Sequence, residues 1–274
     1  MKKNCQKLCA GMHANCAAKD SCHLKNAKVG GRYKKALCDV LSPFGEITGN
    51  DISSEIKKYS RRCDDRVSLK ICEIKLGRSK PPPLLEKLNE RNDKASTIIM
   101  ILESPDVSEY KNATTPGATA EPARGRTGYA IMEHLVKRLK SDEYFKQWRI
   151  ALINPIQYSC SLGGLLLSSR KNEVFASLFT GDIVECFKRR LNAIKKDRDY
   201  AIINCCTKEG HDEMNEILNN QNTYFLSMTH PSSWHYLKDN ELQCRVNGKG
   251  DTQKFTIEIL RSAIVYKNKA LRSF

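Results

Sequence analysis

Four short apolar runs, each broken by polar residues at its C-terminal end, constrain this chain more than any other feature of its sequence. They are Ser96 to Leu102 (STIIMIL), Arg149 to Ile153 (RIALI), Tyr200 to Ile203 (YAII) and Tyr224 to Met228 (YFLSM). Runs of strand length without polar alternation bury both faces, which is the habit of parallel strands between helices. Helical periodicity fills the intervals. Tyr129 to Leu139 places Ile131, Leu135, Val136 and Leu139 on one stripe, and Ile183 to Ile194 and Asp212 to Leu218 read the same way. The order β-α-β-α-β-α-β predicts an α/β domain: an open, mainly parallel four-stranded sheet flanked by helices.

The chain divides near residue 95. Residues 1–95 read as a Cys- and Lys-rich N-terminal region, and residues 96–274 as the domain that carries the strands. Within the first part, Pro81-Pro82-Pro83 breaks any helix or ladder, and Leu84 to Leu88 reads as a short helix. A 40% apolar, 28% charged composition excludes disorder and fibre. No apolar run approaches the roughly 18 residues of a membrane span. Nothing after Met1-Lys2-Lys3-Asn4-Cys5 resembles a secretory signal, so a cytoplasmic protein is expected, its cysteines thiols or metal ligands rather than disulfides. Lys and Arg outnumber Asp and Glu by 46 to 31, a net charge of +15 that suits a polyanionic partner such as nucleic acid.

In open parallel sheets, ligands bind outside the carboxyl ends of the strands. Here those ends deliver Glu103 and Asp106, then Asn154, Asn204 and His230. Each has a plainer use. The carboxylates suit loop caps or pairing with Arg124 or Arg126, Asn154 before Pro155 suits a turn, and His230 suits a surface loop. Asn204 reads as structural, and His134 and His211 as solvated or core residues.

Taken in order, the motifs carry a resemblance. Glu103-Ser104-Pro105 follows the first strand, Ala151-Leu152-Ile153-Asn154 closes the second, Tyr200 to Asn204 is the third, and His230-Pro231-Ser232 follows the fourth. Pro122-Ala123-Arg124-Gly125-Arg126-Thr127-Gly128 precedes the first helix. From residue 96 to about 236 the chain resembles the uracil-DNA glycosylase superfamily. The resemblance implies a monofunctional DNA glycosylase that acts as a monomer on a base flipped from duplex DNA and needs no cofactor for its chemistry. Glu103 or Asp106 would orient a water, His230 would support the departing base, and Asn154 would read its edge beside Ser104 and Pro105. Arg124, Arg126, Ser232, Ser233 and Trp234 would hold the DNA, with Trp234 or Tyr236 wedged into the base stack.

Two positions depart from that family. Ser104 stands where its prominent catalytic Asp precedes the motif proline. Asp106 stands where the uracil-specific branch has a Tyr that blocks substituents at C5 of the base. Without that gate, the expected substrate is a C5-modified pyrimidine, such as the hydroxymethylated or glucosylated cytosine of phage DNA, which would make the protein a defence factor. The alternatives are an ordinary uracil-DNA glycosylase of base-excision repair and a non-catalytic DNA-binding member of the fold.

Metal content is left open. Cys5, Cys9, Cys16 and Cys22, interleaved with His13 and His23, are candidate zinc ligands, though without a CxxC pair. Some branches of the resembled family hold a four-cysteine iron–sulfur cluster, and Cys160 and Cys186 lie in the region of its second ligand pair. Unligated cysteine is the default.

Overall fold

All four apolar runs form strands, and they pair in parallel. The computed structural model describes residues 63–76, 84–87, 95–110, 120–160, 168–237 and 241–267. Its strands are Arg66–Ser68 (β1), Leu84–Lys87 (β2), Thr97–Ile101 (β3), Arg149–Ile153 (β4), Tyr200–Asn204 (β5), Leu226–Met228 (β6), Gln243–Val246 (β7) and Lys249–Lys254 (β8). They make one sheet in the order β2-β1-β4-β3-β5-β6-β7-β8. β3 lies between β4 and β5, parallel to both, and β5 is parallel to β6. The outer pairings are antiparallel. The chain is therefore α/β with a mixed, eight-stranded sheet, and the expected four-stranded parallel sheet is only its centre.

Alternation along the central strands supplies both layers of the core. Ile99 and Ile101 of β3 pack on one face with Ile153, Ile202, Phe175, Phe187, Leu191 and Phe225. Ile98 and Met100 pack on the other with Leu152, Ile203, Leu135, Leu139, Trp148 and Trp234. The helices that cover these faces are Arg126–Ala130 (α1), Lys137–Lys140 (α2), Ser168–Leu178 (α3), Gly181–Lys195 (α4), Lys208–Asn220 (α5) and Ile257–Ser262 (α6). Between α1 and α2 the helix widens into a π-helical stretch, Ile131–Val136, a feature often found beside functional sites. Among the described residues, no helix is long and apolar enough to cross a membrane.

Three elements correct the expectations from sequence. Leu84–Lys87 is a strand rather than a helix, because β1 offers it a ladder and tertiary pairing outweighs a four-residue propensity. β1 and β2 also join the central sheet from the N-terminal side of residue 95, so the sheet crosses that division. β1 is three residues long, too short to show a period. At the other edge, β8 (KGDTQK) is exposed throughout and has no apolar signature at all.

The β7–β8 hairpin turns on Asn247 and Gly248, whose φ angles of 50° and 65° are those of the tight turn that matches strand twist. Asn247 ties the turn to the core: its Oδ1 accepts from Phe225 N at 3.0 Å. A Cβ on Gly248 would lie 2.5 Å from Asn215 Nδ2, besides forcing a side chain into the left-handed region. Gly248→Ala is expected to lower stability by roughly 1–3 kcal/mol, read as a lower urea midpoint at an unchanged m-value.

Candidate functional site

The carboxyl ends of β4, β3, β5 and β6 lie side by side, at roughly 4.8 Å per strand. The strands that lead to Asn154 and His230 are thus three spacings apart, on the order of 14 Å. Hydrogen bonds knit the exits together. Ile156 N donates to Glu103 O at 3.4 Å, and Cys205 N donates to Ile101 O at 2.8 Å. Glu103 is buried, and its Oε2 accepts from Thr207 N at 3.1 Å. Thr207 is the N-cap of α5, so this carboxylate satisfies an N–H that the helix itself cannot. Among the described residues, the buried Ser104 Oγ, Thr207 Oγ1 and Asn154 Oδ1 have no hydrogen-bond partner, a condition that calls for an explanation in a folded protein.

Asn154 is only 2% exposed. Arg190 of α4 fixes its backbone: Nη2 donates to Asn154 O at 2.9 Å and to Pro155 O at 3.0 Å. The same guanidinium binds Asp65 through Nη1, at 2.7 and 2.5 Å from the two carboxylate oxygens. The Asn154 side chain turns to Cys63, its Nδ2 lying 3.9 Å from Sγ.

Behind Cys63 lies Glu109, 5% exposed and absent from the expectations above. Its Oε1 accepts from Ala123 N at 2.6 Å, and its Oε2 accepts from Asp106 N at 3.3 Å and from the Cys63 thiol at 3.9 Å. Ala123 has a left-handed φ of 56°, which costs roughly 1–2 kcal/mol for a residue with a Cβ. Glu109 therefore staples together the Asp106 turn and the strained segment before α1. Burial, aided by the nearby Asp106 charge, raises its pKa from 4.5 to about 8 against the pull of its N–H donors. Burial and the Glu109 carboxyl likewise push the Cys63 thiol well above its ordinary value, so it stays protonated.

On β6, the chain leaves through His230-Pro231-Ser232 into the 3-10 turn Pro231–Tyr236. Proline suits the first position of that turn because its missing N–H is not needed there. His230 caps it: Nδ1 accepts from Ser232 N at 3.3 Å and lies 2.8 Å from Ser232 Oγ. An accepting Nδ1 assigns the proton of the neutral ring to Nε2. The turn docks on α1, where His235 Nε2 donates to Arg126 O at 3.0 Å and the His235 ring stacks on Tyr129.

The remaining candidates separate clearly. Asp106 is exposed at the rim, Pro105 is buried beside it, and Arg126, Ser232 and Ser233 are exposed. Arg124 is half-exposed and pairs with Glu121. Trp234, expected on DNA, is instead fully buried, its indole N–H donating to Thr229 O at 3.0 Å. A 3-10 turn alternates its faces within three residues, and the exposed aromatic is Tyr236, at 82%. Asn204 is spent on the fold: Nδ2 donates to Asn215 Oδ1 at 2.8 Å, and Oδ1 accepts from Cys206 N at 3.1 Å. Asn215 continues to His211, whose Nε2 lies 2.6 Å from Ser227 Oγ. Partial burial lowers the His211 pKa, so that imidazole is neutral.

Cys160 is buried and Cys186 half-buried. Among the described residues, no group of three or more His, Cys, Asp or Glu side chains is placed to hold a metal. Cys5, Cys9, Cys16, Cys22, His13 and His23 lie outside the described residues. No protein-family model matches this chain, and no curated protein or solved structure matches it.

Glu109 generates a test of the geometry. The folded protein keeps its proton up to about pH 8, whereas the unfolded chain releases it near pH 4.5. The folded state binds more protons between these values, so this group's contribution makes stability fall with rising pH across that window and level off above it. Glu109→Gln removes the titration. Denaturation of both proteins from about pH 5 to 8 is expected to show the variant gaining on the wild type as pH rises; a constant difference contradicts a buried, protonated Glu109.

Proposed function

We propose that this protein is a DNA glycosylase that flips a pyrimidine out of DNA and hydrolyses its N-glycosidic bond. One observation carries the reading: Glu103, Asn154 and His230 follow three of the four central parallel strands at their shared carboxyl end, with Asn154 Oδ1 buried and unpaired. Their order and motifs resemble those of the uracil-DNA glycosylase superfamily described above, apart from Ser104 and Asp106, and the net charge of +15 suits a phosphate backbone.

Residue types at the edge suit the chemistry. Cleavage passes through an oxocarbenium-like sugar while the base departs with the bonding electrons. Water attacks C1′ as the C1′–N bond breaks, the proton it gives up ends on the departing base, and the products are the neutral free base and an abasic site. Glu103, held at the start of α5, orients that water and stabilises the cationic sugar. His230, with Nε2–H as a donor, stabilises the departing base anion. Asn154 reads the base edge, and Arg126, Ser232 and Ser233 face the flanking phosphates. Tyr236 stands exposed beside them to stack where the base has left. Asp106 at the rim leaves room for a substituent at C5 and offers it a hydrogen-bond acceptor, so the proposed substrate is a C5-modified pyrimidine, foremost a hydroxymethylated or glucosylated cytosine.

Alkali-cleavage mapping of abasic sites on matched duplexes carrying uracil, cytosine, hydroxymethylcytosine or glucosylated hydroxymethylcytosine tests this. Release is expected from the modified bases, falling about 10²–10³-fold in Glu103→Ala and His230→Ala. Preference for plain uracil would remove the modified-base substrate. Absence of abasic product on every duplex would remove the enzyme.

A further inference from the structure

The unpaired carbonyl of Asn154 has a specific cause. An Asn side chain offers a donor at one end and an acceptor at the other, and what it recognises depends on which end faces the ligand. Here the far end is occupied: Nδ2 points to Cys63 Sγ at 3.9 Å, a sulfur-length hydrogen bond. Cys63 has one proton, and it is directed to Glu109 Oε2, also at 3.9 Å. The sulfur then faces Asn154 with lone pairs only, so the amide presents N–H to it and turns Oδ1 away.

Nothing in this relay is loose. Cys63 is fully buried, its N–H donates to Gln157 O at 2.8 Å, and it bridges to Ala120. Glu109 is held by the N–H groups of Ala123 and Asp106. Arg190 fixes the Asn154 backbone from the opposite side. The unpaired Oδ1 belongs to a residue that is 2% exposed.

We infer that Cys63 and Glu109 are positioning residues that hold the Asn154 amide with its carbonyl toward the substrate, which selects a base bearing an exocyclic amine, of the cytosine type, over one bearing a carbonyl there, of the uracil type. Set opposite position 4 of the ring, that acceptor pairs with the N4 amine of cytosine and repels the O4 carbonyl of a uracil. The inference rests on the glycosylase reading and narrows its substrate class.

The test compares oligonucleotides carrying 5-hydroxymethylcytosine or 5-hydroxymethyluracil at one position, each opposite the same abasic analogue. The C5 substituent and the cost of base opening are then equal, and only the Watson–Crick edge differs. Wild-type protein is expected to release the cytosine-type base about tenfold faster or more. Cys63→Ala frees the amide to turn and brings the ratio close to one. Cys63→Ser keeps a hydroxyl that both donates and accepts, and retains most of the ratio. Equal wild-type rates, a faster uracil-type base, or an unchanged ratio in Cys63→Ala would each overturn the inference while leaving the glycosylase standing. Release of neither base, nor of any base from the duplex panel, would overturn the glycosylase reading and the inference with it. If Cys63→Ala does not unfold cooperatively, the wild-type ratio and Cys63→Ser decide.

Discussion

A single constraint organises this molecule: four buried parallel strands must discharge their polar ends at one edge of the sheet, where each buried polar group needs a partner. Two asparagines show both outcomes. Asn204, at the end of β5, spends its amide on Asn215, His211 O and Cys206 and so ties α5 to the sheet. Asn154, at the end of β4, is held just as firmly through its backbone by Arg190, yet its side-chain carbonyl is left without a partner. Leaving such a group unpaired costs about 1–3 kcal/mol. A fold that satisfies one amide and not its neighbour concentrates that cost at a place where a ligand relieves it.

The supports around Asn154 come from distant parts of the chain. Asp65 completes the Arg190 clamp, Cys63 sets the amide, and Glu109 joins Cys63 to the Asp106 turn and to the strained Ala123. A left-handed alanine beside a π-helical stretch is the kind of local strain that persists only where surrounding contacts over-determine it. The segment that carries Asp106 and the segment that carries Arg126 are thereby locked to one another, and the His230 turn docks on the latter through His235.

Much of this edge is legible in the sequence, for a physical reason. Continuous apolar runs such as Ile98 to Ile101 have few ways to be buried, and their polar exits name the candidate residues directly. What escapes is whatever depends on pairing rather than pattern. β1 is too short to show a period, β8 has no apolar face, and Leu84–Lys87 takes its conformation from its neighbour. Trp234 and Tyr236 lie two residues apart, and only the turn geometry decides which of them is buried. Glu109 and Cys63 look like any surface acid and any cysteine until the fold sets them against Asn154.

The central claim is that Asn154 and His230 face the same extruded nucleobase. Nuclear magnetic resonance titration with a duplex holding one non-cleavable 2′-fluoro-5-hydroxymethylcytidine measures this most directly, against the same duplex with plain cytidine. The account predicts that the modified nucleotide selectively shifts the Asn154 side-chain amide, the His230 imidazole and the backbone of residues 229–233. Identical shifts with both duplexes, or selective shifts confined to residues away from these strand exits, would contradict it.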